Sequence, residues 1–554
     1  MDNSLTTITT PPPTVLPVEV PKPSIPISKY THALIKRYKE GAPVTAPSNV
    51  SKISVSQTVS FAAFLYEKMR NAIEYREDHL IRRAAIERIL RRRIVLNPNG
   101  HDIAEPLIKE LLWARYLENN VMPEDKIAEI QSTIDKYFYL KNEFTVGRPS
   151  KEQKKLTDWI IEVASCEIEE RLSPDPRREA FTNYVYHLLR DNVRFLNGEE
   201  MERDVTIYIA VERAFAKSDD PLIRYHLLKL LIPDFIKGNW QDAQTLLPSF
   251  GEIYNKIEKD LAHPFLEQLR RFVKRESPPF LILRDLFEMY PKEYEAILEN
   301  EEKLMYKIDE ICRKRYDETR SKLRRAGVRS FIYIVLTKVI FALALELPYD
   351  IYILKSISYL PIVVNILVPP AFMSAIILSV GVPGPDNTKR IQTKIKQIIT
   401  EDPDIPQKEQ NQLVLGKKAK VKSPLLNIGF TFMYILAFLL SFGAIIFILS
   451  KFHFNIVSQG IFIFFLTLVT FFAYRIRLIA REYLVLEKEG VLEPIFDFFM
   501  LPLLRVGQWL SGEITKINLF IFIFDFVIEA PFKAIFEVVE EWIRFVKSKK
   551  EEMV

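Results

Sequence analysis

Between Ser56 and about Arg325 apolar residues recur at spacings of three and four, whereas beyond Val328 they run together in long, nearly uncharged blocks. The first pattern is that of helices with one buried stripe, and the second is that of helices crossing a hydrocarbon layer. No stretch shows sustained polar–apolar alternation with β-branched enrichment, so essentially no sheet is expected. The chain therefore predicts an all-α protein. A multi-helix domain at 51–325 leads into a membrane domain of about four spans and a C-terminal amphipathic helix.

Helix punctuation divides the first part. Asn97-Pro98-Asn99-Gly100 is a turn, and Pro123 followed by Glu124 and Asp125 opens a helix with acids at the positive end of its dipole. Ser150 and Gln153 form a capping-box pattern ahead of Lys151–Leu172. Further boundaries fall at Ser173-Pro174-Asp175-Pro176, Gly198, Asp219-Asp220-Pro221, Gly238-Asn239 and Ser277-Pro278-Pro279. Their spacing would suit stacked helical hairpins, but no hairpin aligns on another by residue type, so an irregular helical domain is expected rather than a solenoid. Residues 1–50 read as a Pro-rich, disordered tail with a short helical stretch at Tyr30–Glu40.

The first span is expected at Val328–Leu347, about twenty residues or roughly 30 Å of helix, ended by Pro348. Arg320, Lys322, Arg324, Arg325 and Arg329 crowd its amino side, whereas Glu346 and Asp350 fall in a linker beyond it. The positive-inside rule then puts the N-terminal domain in the cytoplasm. Tyr349, Tyr352 and Tyr359 mark an interfacial segment, and Leu360–Val382 returns as the second span, kinked at Pro369-Pro370. Together 326–382 make a hairpin, followed by a basic cytoplasmic loop at 383–423. The second hairpin, 424–475, holds spans at Leu425–Ser450 and Ile456–Tyr474, with Arg475, Arg477 and Arg481 again on the inner side. The region 476–554 is read as cytoplasmic or interfacial. Its Leu519–Val546 helix carries Phe532 and Phe536 on a broad aromatic face, and acids such as Asp525 and Glu529 on a polar stripe.

Composition removes several function classes. A net charge of +5 over 554 residues is too small for a dedicated nucleic-acid binder. Two distant cysteines suit a reducing compartment rather than a disulfide framework. MDNSLTTITTPPP has neither a basic n-region nor an apolar core, so no signal peptide is expected. Phosphate-binding glycine loops, HExxH, CxxC and GxSxG are all missing, so no enzyme, cofactor or metal site is expected.

Two features remain as candidate chemistry. Lys338 lies near the midpoint of the first span, where a cation costs about 2.5–3.5 kcal/mol, so it needs a partner. Asn365 and the carbonyls freed by Pro369 and Pro370 could supply one, either as an ion site or as a structural tie. The helix His79–Ile94 clusters Arg82, Arg83, Arg91, Arg92 and Arg93 among apolar residues. It would either meet anionic lipid or an acidic partner, or pair with nearby acids such as Glu74, Glu77 and Asp78. The expected partners are the lipid bilayer and a protein, either another chain or further copies of this one. The leading functional expectation is a non-enzymatic, multi-pass inner-membrane protein with both termini cytoplasmic, acting as an assembly or interaction platform. The alternatives are an oligomeric channel or transporter built around Lys338, and a lipid-handling protein using Phe532 and Phe536.

Overall fold

A computed structural model describes residues 25–41, 51–73, 78–196, 200–238, 240–355, 359–379, 381–400, 413–416, 424–485 and 493–516, with a few isolated positions between 538 and 546. The protein is almost wholly helical. The first part comprises α1 (Lys29–Glu40), α2 (Gln57–Ile73), α3 (Asp78–Leu96), α4 (Ala104–Trp113), α5 (Asp125–Thr145), α6 (Ser150–Leu172) and α7 (Pro176–Arg190). After a short strand, β1 (Val193–Phe195), come α8 (Glu200–Val211), α9 (Asp220–Leu231), α10 (Pro233–Lys237), α11 (Trp240–Leu261), α12 (Leu266–Met289) and α13 (Tyr294–Leu298). These helices enclose one continuous apolar core.

Several boundaries follow from local chemistry. Asp175 and Asp219 accept the N–H groups of Arg178 and Leu222, each beside a proline in the first helical turn. Two expectations need correction. Ser150 is already inside α6 and makes no cap hydrogen bond; the carbonyl of Pro149 instead accepts from Glu152 and Gln153. Pro278 and Pro279 do not end a helix, because α12 runs through both. Their rings are buried in the core, and that packing outweighs the lost backbone bonds.

Residues 25–41, within the stretch read as a tail, are folded. Leu34, Ile35 and Tyr38 are buried, and Arg177 stacks on the Tyr38 ring at 4.7 Å. The stretch read as a basic loop also carries structure. Its helix α17 (Pro385–Thr400) buries Ile391, Ile395, Ile398 and Ile399 in the domain core, and the Ile399 carbonyl accepts from Ser28 N–H and the Thr31 hydroxyl. A second short strand, β2 (Leu413–Leu415), pairs in parallel with β1, with Val193 opposite Leu413. This small sheet is the exception to the expectation of none.

Among the described residues four helices are long and apolar enough to cross a membrane: Glu301–Ile353, Tyr359–Ile377, Ile428–Lys451 and Ile456–Ala480. The first begins in the core of the helical domain as α14 (Glu301–Phe341), capped by Asn300 and anchored by buried Leu304, Ile308, Ile311 and Cys312. It does not stop at Pro348. A π turn at Ala342–Glu346, a short α15 (Leu347–Tyr349) and a second π turn at Asp350–Leu354 carry it onward. A proline lacks the N–H and crowds the carbonyl four residues back; widening the preceding turn to i→i+5 bonding relieves both. The other spans are α16 (Tyr359–Ser379), α18 (Pro424–Lys451) and α19 (Ile456–Ala480). Pro369 and Pro370 lie inside α16 and are buried, and Ser374 Oγ donates to the Pro370 carbonyl at 2.9 Å.

A further helix, α20 (Glu493–Lys516), packs against both α18 and α19. Ser441 Oγ donates to the Phe499 carbonyl at 3.0 Å, and Leu503 joins Phe462 and Leu466 in an apolar cluster. Gly507 makes this crossing feasible, since a Cβ there would sit 2.2 Å from the Thr467 carbonyl oxygen. Phe532, Phe536, Asp525 and Glu529 lie outside the described residues.

Candidate functional site: a polar cluster among the membrane helices

The π turns change which residues share the bundle interior. They bring Glu346 and Asp350 to the same side as Lys338, and all three are about 99% buried. Lys338 Nζ donates to Asn365 Oδ1 at 2.9 Å and lies 4.3 Å from the centre of the Phe465 ring. Asn365 Nδ2 in turn donates to Glu346 Oε1 at 3.0 Å and to the Ser458 carbonyl at 3.2 Å. The Ser458 hydroxyl donates to the same Glu346 oxygen. Towards the loop between α18 and α19, Asn455 Nδ2 donates to Asp350 Oδ1 at 2.9 Å while its Oδ1 caps α19.

Lys338 and Asn365 are thus brought together, and Lys338 bonds a side chain rather than a carbonyl freed by Pro369 or Pro370. The sequence reading missed Glu346 and Asp350, because the proline after Glu346 reads as the end of the span. Their acidity inside an otherwise apolar stretch was the available signal.

The cluster holds one cation and two carboxylates. Glu346 Oε2 and Asp350 Oδ2 are both buried without a hydrogen-bond partner. Such an oxygen is costly unless it carries a proton or faces a cation. Among the described residues no group of three His, Cys, Asp or Glu side chains is placed to hold a metal ion. Two carboxylates are a poor match for a divalent ion, which takes more oxygen ligands. On the other side of Lys338 along α14, the interface is apolar, formed by Leu323, Ile334, Met373, Val469, Ala473 and Ile476.

The arginine helix is occupied within the domain. Arg82 bonds both oxygens of Glu169, Arg83 pairs with Glu87 and Asp219, and Arg91 reaches Glu87, Asp158 and Glu162. Arg92 and Arg93 share Glu110, at 2.5 and 2.8 Å. Glu87 is on α3 itself and the other carboxylates come from α4, α6 and the cap of α9; Glu74 and Glu77 lie outside the described residues.

Beside this helix is a cavity of about 270 Å³ lined by His79, Arg83, Cys166, Arg178, Glu212 and His226 among others. Burial pushes the Cys166 thiol well up and the Cys312 thiol up to about 12, so neither is a ready thiolate. Burial, aided by Arg178, lowers His79 to about 4. Burial opposes charge on Glu212 and His226 too, but their mutual attraction wins: Glu212 is held at about 2 and His226 is raised.

These shifts set a pH dependence. His79, lowered in the fold, takes up a proton first in the unfolded chain, so its contribution falls as pH drops from 6.5 through 4. His226, raised in the fold, contributes fully below 6.5 and loses its contribution as pH rises through its folded value. Glu212 keeps its contribution above 4.5 and loses it only towards 2. In thermal melts of the full chain, His79→Gln should flatten the acid limb and His226→Gln the alkaline limb. A wild-type-minus-variant difference that stays constant across pH would contradict these assignments.

Comparison with known proteins returns no matching family, no matching curated protein and no matching solved structure.

Proposed function

We propose that this protein is a non-enzymatic inner-membrane platform that holds a rigid helical domain at the cytoplasmic surface for a protein partner. The observation that carries the reading is how the spans join the domain. The first span is a continuous helix with the core segment of α14. The connection between the second and third spans contributes α17 and β2 to the domain. After the fourth span, Val485 N–H donates to Asn387 Oδ1 at 2.8 Å, and Asn387 Nδ2 donates to the Tyr483 carbonyl at 2.8 Å. A flexible tether would need none of these ties. They fix the height and orientation of the domain, which is what a docking platform requires. They also put all three junctions on one side of the bundle, and the excess of arginine and lysine there favours the cytoplasm.

The test is the mass of the full chain purified in mild detergent. The platform reading expects a stoichiometric soluble protein on a monomer or dimer. A partner-free symmetric ring would overturn it.

A second reading, an oligomeric channel or transporter, is favoured by the unpartnered carboxylate oxygens of Glu346 and Asp350. It requires that Lys338→Leu change proton or monovalent-cation flux in liposomes. Equal flux in wild type and variant would exclude it.

A further inference from the structure

We infer that the groove between α14 and α16 is a binding site for one anionic phospholipid. This goes beyond the platform reading and does not depend on it. The groove has a volume of about 550 Å³ and is lined by Arg320, Leu323, Arg324, Gly327, Val328 and Phe331 from α14, facing Ser374, Ile377 and Val382. The α14 residues follow one another at alternating spacings of three and one, so they form a single stripe along the helix. Polarity changes sharply along that stripe. Arg320 and Arg324, one turn apart, stand at the end nearest the helical domain, and the later α14 residues that line the groove, Gly327, Val328 and Phe331, are apolar or glycine.

That order matches the anatomy of a phospholipid in a leaflet. The two guanidiniums lie where α14 enters the apolar layer, at headgroup depth. Phe331 lies about 10 Å further along, at acyl-chain depth. Gly327 allows the two helices to approach, since a Cβ there would already be 3.1 Å from Ile377 Cδ1. The site is therefore a furrow rather than a flat face.

Charge selects the occupant. Among the described residues no acidic side chain lines the groove. Arg320 is shared with exposed Asp317 at 3.2 Å, while no carboxylate among the described residues lies within ion-pair distance of Arg324. A guanidinium pair is suited to the bidentate grip of a phosphate diester, and an anionic headgroup keeps its net charge where a zwitterionic one does not. Free phosphate would satisfy the arginines but leave the apolar furrow empty.

The experiment is lipid binding to the full chain in mild detergent, read by native mass spectrometry with phosphatidylglycerol or phosphatidylcholine at equal concentration. Wild type should prefer phosphatidylglycerol by at least about tenfold, and Arg320→Gln with Arg324→Gln should weaken it about thirtyfold. Val328→Trp, at an exposed position, fills the furrow but keeps both arginines, and should also lose the lipid. Millimolar inorganic phosphate should displace nothing. Equal binding of the two lipids, or wild-type binding by either variant with its helical circular dichroism intact, would overturn the site. Displacement by phosphate alone would reassign it to a free anion and overturn the lipid.

Discussion

Lys338→Met should destabilise the membrane bundle by about 3–5 kcal/mol, the usual loss when one partner of a buried charge pair is removed. Lys338 does not touch Glu346 directly. Asn365 stands between them, accepting from the ammonium through Oδ1 and donating to the carboxylate through Nδ2. Removing the ammonium therefore leaves an unfilled acceptor on Asn365 and takes away the cation that Asn365 links to the carboxylate. Both are buried, so water cannot replace what is lost. Charge rather than volume should dominate, because methionine fills nearly the same space. The check is a double-mutant cycle by thermal unfolding in detergent. Lys338→Met with Glu346→Gln should recover much of the single-variant loss, since the second change removes the stranded charge. Simple additivity would show that the relay through Asn365 carries no coupling.

That cluster also shows where sequence reasoning stops. The four spans were legible because twenty-odd apolar residues in water have no other stable fate. Lys338 and Asn365 were legible because polar groups in such segments must find partners. Glu346 was not, because a proline two residues later reads as a helix stop. Only the surrounding helices make the π turn worth its distorted bonding. The segment around α17 failed differently. Counting its lysines identified a basic loop, yet Ile391, Ile395, Ile398 and Ile399 are spaced for one buried face and carried the missing information. The arginines of α3 could have been lipid-facing or paired. Apart from Glu87, one turn away on the same helix, their partners Glu110, Asp158, Glu162, Glu169 and Asp219 are distant in sequence, so that pairing follows from tertiary packing.

The helical domain contains a second fully buried charge pair, and its two halves should not be equivalent. Lys136 on α5 donates to both oxygens of Glu167 on α6, at 2.7 and 2.9 Å, and to the Phe235 carbonyl on α10 at 2.9 Å. Glu167 also accepts from the Tyr137 hydroxyl at 2.7 Å and from Arg171 at 2.9 Å. Lys136→Met leaves Glu167 with a cation and a hydroxyl still in place, so the loss should stay near the low end of the range for buried pairs. Glu167→Gln replaces the carboxylate beside a fully buried ammonium by a neutral amide, with the Phe235 carbonyl and the Phe235 and Tyr137 rings, at 4.5 and 5.2 Å, beside it. The same change strips Arg171 of its inner partner. Its cost should reach about 3–5 kcal/mol, enough to remove a large share of the stability of an ordinary domain. Circular dichroism melts of the full chain would rank the two variants. Equal losses would mean that Arg171 does not compensate for Lys136. If Glu167→Gln were the milder change, the ammonium would have to reach water by a rearrangement of α10, the short helix that covers it.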